Sequence, residues 1–263
     1  MLWFIFCKEE VVLTETGHIP CSDKCPVDLL PWNTIHQLPD LDGEPCSTVR
    51  IDSPVTPGTV SEGMTLHQVG LRASYFELSP EEYKMAGKAQ EILYWDANTQ
   101  FCGVCGGPME KDSDISKKCT CCGKQIWPSV APAIIVLIRR QAPSGRKEDE
   151  EILMVRARNF RGDYYGLVAG FLETGESLED CLHREVMEET GIRIKNAVYK
   201  ASQPWPYPSG LMVGYFAEYE SGEIHLQKSE LSSGGWFRRD NLPEIPGKMS
   251  LARQLIDMWL AEE

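Results

Sequence analysis

Apolar residues along this chain fall into short runs and helical stripes separated by polar, proline-rich or glycine-rich breaks, and the spacing predicts the elements. The opening run Leu2-Trp3-Phe4-Ile5-Phe6 lacks a basic lead and ends at Lys8-Glu9-Glu10, which fits a strand better than a secretory signal. Residues 39–57 are rich in proline and aspartate and residues 66–78 return to apolar runs; no chemistry is assigned to either stretch. Ser79-Pro80-Glu81-Glu82 opens a helix with a serine cap, a first-turn proline and a capping-box glutamate, and the helix is expected to run to Trp95. Residues 133–138 and 152–155 are continuous apolar runs, read as buried strands of a hairpin joined by the polar loop 141–150 with its Pro, Ser and Gly. Leu178, Cys181, Leu182 and Val186 then recur at helical spacing behind a Ser177 cap, with Asp180 three residues on and Gly191 as the stop. Further strands are expected at 211–217 and 235–237, and Ser250 caps a last helix carrying Leu251, Leu255, Ile256, Met258 and Trp259.

The polar side of the helix between Ser177 and Gly191 carries chemistry. Glu185 and Glu189 are four apart and Glu188 is three from Glu185, so three carboxylates share one face and repel each other. A divalent cation relieves that repulsion, and magnesium accepts a few carboxylates while keeping waters and binding phosphate oxygens. An ordinary solvated acidic face is the competing reading. Against it stands the whole segment from Gly170 to Ile192, which fits the Nudix box at every defined position and points to a metal-dependent pyrophosphate hydrolase. Arg184 cannot be deprotonated, so it is expected to hold and orient a neighbouring carboxylate, with Glu176 as its partner.

Cys102-Gly-Val-Cys105 and Cys119-Thr-Cys-Cys122 form two CxxC knuckles, each followed closely by glycine. Four thiolates satisfy tetrahedral zinc and leave no open position, so a structural zinc ribbon is expected. Cys121 is spare. Cys21 and Cys25, spaced CxxxC without a matching pair, are treated with Cys7, Cys46 and Cys181 as ordinary thiols.

The chain has 263 residues, 42% of them hydrophobic, and a formal net charge of -13. That length can bury a sizeable core, and the acidic balance argues against a surface that grips nucleic acid through many phosphates. No stretch is long enough to span a membrane. Ten cysteines, four of them with metal spacing, in a chain large enough to have its own core are consistent with a reducing cytoplasm.

After the box comes Ser202-Gln203-Pro204-Trp205-Pro206-Tyr207-Pro208-Ser209-Gly210. Prolines interleaved with aromatics make a stiff extended segment whose flat rings can stack on a base or pack in a core. A zinc ribbon, a Nudix box and this segment, in that order, resemble the NADH pyrophosphatase family of Nudix hydrolases, whose signature is SQPWPFPxS. The resemblance covers the chain from about residue 101 to the C-terminus, and the N-terminal portion suits the family's size. Two positions depart from the signature. Tyr207 replaces Phe and keeps the ring, whereas Gly210 replaces the final Ser and removes a hydroxyl that could bond phosphate or ribose, which bears on nicotinamide-side affinity.

The resemblance implies hydrolysis of NAD(H) to a nicotinamide mononucleotide and AMP, and in bacterial members removal of an NAD cap from RNA. It places the metal-binding and catalytic carboxylates on Glu185, Glu188, Glu189 and, from a later loop, Glu230, with magnesium or manganese as the ion. It also implies substrate contacts from Phe171, Gln203, Trp205, Tyr207, Ala252 and Trp127, the last standing where the family has Tyr, and a homodimer in which Trp205 reaches across from one subunit to the site of its partner. Glu189 is the expected general base or principal metal ligand. The expected fold is α/β: an N-terminal mixed α/β domain at 1–97, a zinc ribbon at 98–128, and a Nudix α/β/α sandwich on a mixed sheet at 129–263. Two alternatives stay open: a general Nudix hydrolase of ADP-ribose or related nucleoside diphosphates, and a non-catalytic dinucleotide-binding protein.

Overall fold

The N-terminal apolar run is strand β1 (Leu2–Cys7), buried from Trp3 to Cys7 because both of its faces are covered. With β2 (Glu10–Thr14), β3 (Ile35–Leu41), β4 (Glu44–Arg50), β5 (Thr59–Ser61) and β6 (Met64–Gly70) it forms a sheet in the order β3-β4-β1-β2-β6-β5, antiparallel except where β1 lies beside β4. Strands β3 and β4 run through the proline- and aspartate-rich stretch that composition alone did not resolve. Pro39 is tolerated there because β3 is an edge, where a missing N–H costs no ladder bond. Helix α1 (Pro80–Asn98) has the expected capping box, Ser79 against Glu82, and extends one turn past Trp95. Its Ala86, Ala89, Ile92 and Leu93 pack on Phe4, Phe6, Val11 and Leu13. Strands β7 (Met109–Ser113), β8 (Ser116–Cys119) and β9 (Gln125–Ile126) make a small antiparallel ribbon.

This computed structural model describes residues 1–142, 144–160 and 162–262, so Pro143 of the 141–150 loop lies outside the described residues. The chain divides into two units, one of Met1–Ser129 with Pro206–Ser209 and one of Val130–Trp205 with Gly210–Glu263; the ribbon falls inside the first.

The second unit contains β10 (Ala131–Arg140), β11 (Glu151–Ala157), β12 (Val168–Phe171), helix α2 (Leu178–Thr190), β13 (Arg193–Trp205), β14 (Gly210–Ser221), β15 (Leu231–Arg238) and helix α3 (Leu251–Ala261). The expected hairpin is present as the antiparallel pair β10 and β11. The sheet order is β13-β14-β10-β11-β15, with β12 alongside the first half of β10 and with β10 parallel to β14.

Period-two alternation on β10 explains the layers. Ile134, Val136 and Ile138 point to one face, against Cys181, Leu182 and Val186 of α2. Ile135 and Leu137 point to the other, against Leu251, Leu255, Ile256 and Trp259 of α3. The result is an α/β/α sandwich, in which each large side chain buried completely contributes about 1.5–3 kcal/mol. Among the described residues no helix is long and apolar enough to cross a membrane.

Candidate active site

Helix α2 is fixed at both ends by its own sequence. The Ser177 hydroxyl accepts from the Asp180 amide while the Asp180 carboxylate accepts from the Ser177 amide, and Gly191 closes the helix at φ 73°, a left-handed conformation that favours glycine. Along this helix Glu188 is exposed and Glu185 half-buried, while Glu189 is only 6% exposed.

Burial pushes the Glu189 carboxyl up to about 8, and the charges of Glu185, Glu230 and Glu188 add to the shift. Burial also raises Glu185, against the opposing pull of Arg184. The Arg184 guanidinium does more than the single pairing expected of it. It donates to Glu176 at 2.9 Å, holding that carboxyl down to about 2, and also to Glu185 at 2.9 Å, Glu188 at 3.2 Å and the Phe171 carbonyl at 3.0 Å. One cation thus orients three carboxylates and the end of β12. Gly170, the β12 residue facing this cluster, leaves the space that the Glu185 carboxylate fills.

Glu230 reaches the cluster through backbone. The amides of His225 and Gln227 donate to the carbonyls of Thr190 and Glu189, at 2.8 and 2.9 Å, and so lace the loop before β15 to the end of α2. Helical spacing could not reveal this approach, because the bonds join distant segments. The same applies to Arg158, whose amide donates to the Glu230 carbonyl at 2.8 Å.

Glu185, Glu188 and Glu230 therefore all bear electrostatically on Glu189, and Arg184 bonds Glu185 and Glu188. Hard oxygen donors with an excess of negative charge are a set that could hold a divalent cation.

The residues expected at the substrate side separate into two groups. Phe171, Ala133, Met212 and Gln203 are register partners across β12, β10, β14 and β13, so they form one row on the α3 face, opposite to Gly170 and the carboxylates. Phe171 is 66% exposed. Gln203 donates to the Met249 carbonyl at 2.8 Å, just before α3, and Ala252 sits in the first turn of that helix. Trp205 follows Gln203 at the next position facing the same way.

Tyr207 is not brought to this row. Its ring packs on the core of the first unit, beneath the Arg72 guanidinium, and its hydroxyl lies 2.8 Å from that of Tyr83. Trp127 also belongs to the first unit, 56% exposed. Gly210 pairs with both Trp205 and Ala131, and a β-carbon there would stand 3.3 Å from each of their carbonyl oxygens. The serine of the signature would be cramped at this position.

In the ribbon, the sulfurs of Cys102, Cys105, Cys119 and Cys122 all lie within 4.8 Å of one another. Backbone amides point at them: Val104 donates to Cys102 at 3.4 Å, and Cys121 and Cys122 donate to Cys119 at 3.4 and 3.5 Å. The Cys122 amide leads in holding the Cys119 thiol down to about 6. The Gly107 amide favours the Cys105 thiolate, but the neighbouring sulfurs of Cys119 and Cys122 overcome it and push Cys105 up to about 12. Four crowded thiols with amide donors fit one tetrahedral metal ion.

Comparison with known proteins gives a consistent picture. Residues 131–258 match the NUDIX domain family, and residues 1–95 match the NADH pyrophosphatase-like rudimentary NUDIX domain. The chain is 35% identical to the NAD-capped RNA hydrolase NudC of Stutzerimonas stutzeri, over 98% of this chain and 88% of that protein. It is 37% identical to the NudC of Pseudomonas aeruginosa, over 97% and 87%, and 35% identical to that of Deinococcus radiodurans, over 99% and 88%. Among solved structures, a NUDIX hydrolase from Nitrosomonas europaea superposes with a TM-score of 0.50 at 20% identity, covering 63% of this chain and 92% of that one, a likeness of fold.

Proposed function

The chain belongs to the NADH pyrophosphatase and NAD-capped RNA hydrolase (NudC) family of Nudix hydrolases, and from that premise we propose that it splits the diphosphate of NAD(H) into nicotinamide mononucleotide and AMP and removes NAD caps from RNA. It is a Nudix pyrophosphohydrolase. The observation that carries the reading is the buried Glu189 carboxyl, pushed up to about 8 by its burial and by three neighbouring carboxylates. A group so placed takes up either a proton or a cation, and a hydrolase of a doubly charged diphosphate uses both.

Glu185, Glu188, Glu189 and Glu230 would hold magnesium or manganese. When bound, the ion offsets the charge of the diphosphate and makes water more acidic. Glu189 accepts the proton of the attacking water or serves as principal ligand, and Arg184 keeps Glu185 and Glu188 aimed. Phe171 offers its exposed ring to the nicotinamide, while Gln203, Trp205 and Ala252 line the same side of the sheet; for Trp127 and Tyr207, both in the first unit, a substrate contact rests on the family resemblance alone. Zinc in the four-cysteine ribbon is structural. A homodimer and a cytoplasmic location belong to the same reading, the first resting on the family resemblance and the second on the use of free thiols.

The test is product formation from NADH, ADP-ribose and NAD-capped RNA with added magnesium, for wild type and Glu189→Gln. Cleavage of NADH and capped RNA, with ADP-ribose much poorer, supports the proposal. Dominant ADP-ribose cleavage would make the chain a general nucleoside diphosphate hydrolase, and no cleavage would make it a dinucleotide-binding protein.

A further inference from the structure

Glu230 sits at the end of the loop that precedes β15, in an exposed turn with little apolar burial of its own. The start of that loop is anchored by Ile224 and Leu226 on the core. Its end is held by Arg158, which uses two donors. The Arg158 amide bonds the Glu230 carbonyl at 2.8 Å, and the Arg158 Nε bonds the Lys228 carbonyl at 2.6 Å.

Arg158 meets this turn because β15 carries a bulge, with Ser232 as its extra residue, opposite Arg156 and Ala157 of β11. An extra residue of this kind bends a strand and re-aims the residues beyond it. The turn closes on itself through the Glu230 and Leu231 amides, which donate to the Gln227 carbonyl at 3.0 and 2.9 Å. The Gln227 amide in turn donates to the Glu189 carbonyl. One short turn therefore joins Arg158 to two of the four glutamates.

We infer that Arg158 is a positioning residue that sets the place of Glu230 in the metal site. The inference rests on the reading of Glu230 as a metal holder. A cation at this position could instead serve only bulk charge, or only the stability of the loop, and the three roles separate in a thermodynamic cycle.

The experiment is manganese binding to substrate-free protein, followed by electron paramagnetic resonance of the unbound ion, for wild type, Arg158→Ala, Arg158→Lys, Glu230→Gln and the Arg158→Ala/Glu230→Gln pair. Thermal melts establish that each variant is folded. Loss of a residue that orients a metal ligand weakens binding about tenfold or more, and that is expected for Arg158→Ala in the wild-type background. In the Glu230→Gln background the same change is expected to weaken binding less than about twofold, because the two residues act through one element. Arg158→Lys keeps the backbone donor and one side-chain donor, and is expected to recover most of the affinity.

Equal weakening in both backgrounds would overturn the inference in favour of a charge effect, and unchanged affinity in Arg158→Ala would overturn it outright. If Glu230→Gln binds manganese like wild type, the metal role of Glu230 falls and the inference with it. If the cycle holds while NADH is not cleaved, only the substrate reading fails.

Discussion

Gly170 and the Glu185 carboxylate occupy adjoining space with no allowance for a side chain: a β-carbon built on Gly170 would lie 1.9 Å from Glu185 Cδ and 2.1 Å from Oε1. The neighbour that would have to move is a carboxylate already held by Arg184 at 2.9 Å. Gly170→Ala is therefore expected to displace Glu185 rather than to be absorbed. Misplacing a catalytic group by about an ångström costs on the order of a hundredfold in rate. Turnover within twofold of wild type would show that Glu185 can swing aside without consequence.

Glu189→Gln separates catalysis from stability. Turnover on NADH is expected to fall roughly a hundredfold or more, the scale for loss of an acid/base or electrostatic group. Stability of the metal-free protein moves the other way. The folded carboxyl titrates at about 8 against an ordinary value of 4.5, so the folded state binds its proton more tightly and unfolding releases a proton between those values. Wild-type stability contributed by this group is therefore present below about 4.5 and lost as pH rises towards 8. Glutamine has no proton to lose, so the metal-free variant is expected to exceed wild type at pH 8 by on the order of 1–3 kcal/mol, and to match it near pH 4.5. Denaturant melts at the two pH values, with chelator present, check this; a variant less stable at pH 8 would contradict it.

Range along the chain decides how much of the site was legible in the sequence. Glu185, Glu188 and Glu189 share a face because three- and four-residue spacing does so on any helix. The cysteine knuckles are equally local. Each β10 residue can be assigned to a layer only after the strand is known to be covered on both sides, because an unbroken apolar run does not show which helix takes which face. The approach of Glu230 to α2 depends on backbone bonds from His225 and Gln227, which no side-chain pattern encodes. Tyr207 shows the limit most clearly. Its sequence neighbours Gln203 and Trp205 lie on the catalytic sheet, but three residues after the strand's Pro204 the ring is packed in the other unit's core.

The bond between the Tyr207 and Tyr83 hydroxyls, at 2.8 Å, has no counterpart where the family signature carries Phe. Tyr83→Phe is expected to cost about 1 kcal/mol, the usual net worth of one hydrogen bond, and Tyr207→Phe more, because its hydroxyl also bonds Arg72. The double variant is expected to cost little more than Tyr207→Phe alone, since the second change removes a partner already lost. Chemical denaturation of the four proteins checks the cycle; fully additive losses would mean that the hydroxyls act independently.

The five sulfurs of the ribbon make the strongest contrast available within one module. Cys102, Cys105, Cys119 and Cys122 converge within 4.8 Å, whereas Cys121 lies outside that set with its sulfur over Gly107, where a β-carbon would come within 2.6 Å of it. Cys121 contributes its amide to the Cys119 sulfur, and a serine in its place keeps that amide. Cys121→Ser is thus expected to retain one zinc per chain and a wild-type melting temperature. Cys119→Ser removes the thiol that amide donors hold down to about 6, and so the sulfur readiest to ionise and bind metal. It is expected to lose zinc at micromolar chelator and to melt several degrees lower, because a bound ion would link two knuckles with only a small apolar cluster, Cys102, Met109, Cys119 and the half-buried Ile126, beneath them. Metal analysis after gel filtration reads both variants. Zinc retained in Cys119→Ser together with zinc lost in Cys121→Ser would exchange their roles and place the metal on a different set of four thiols.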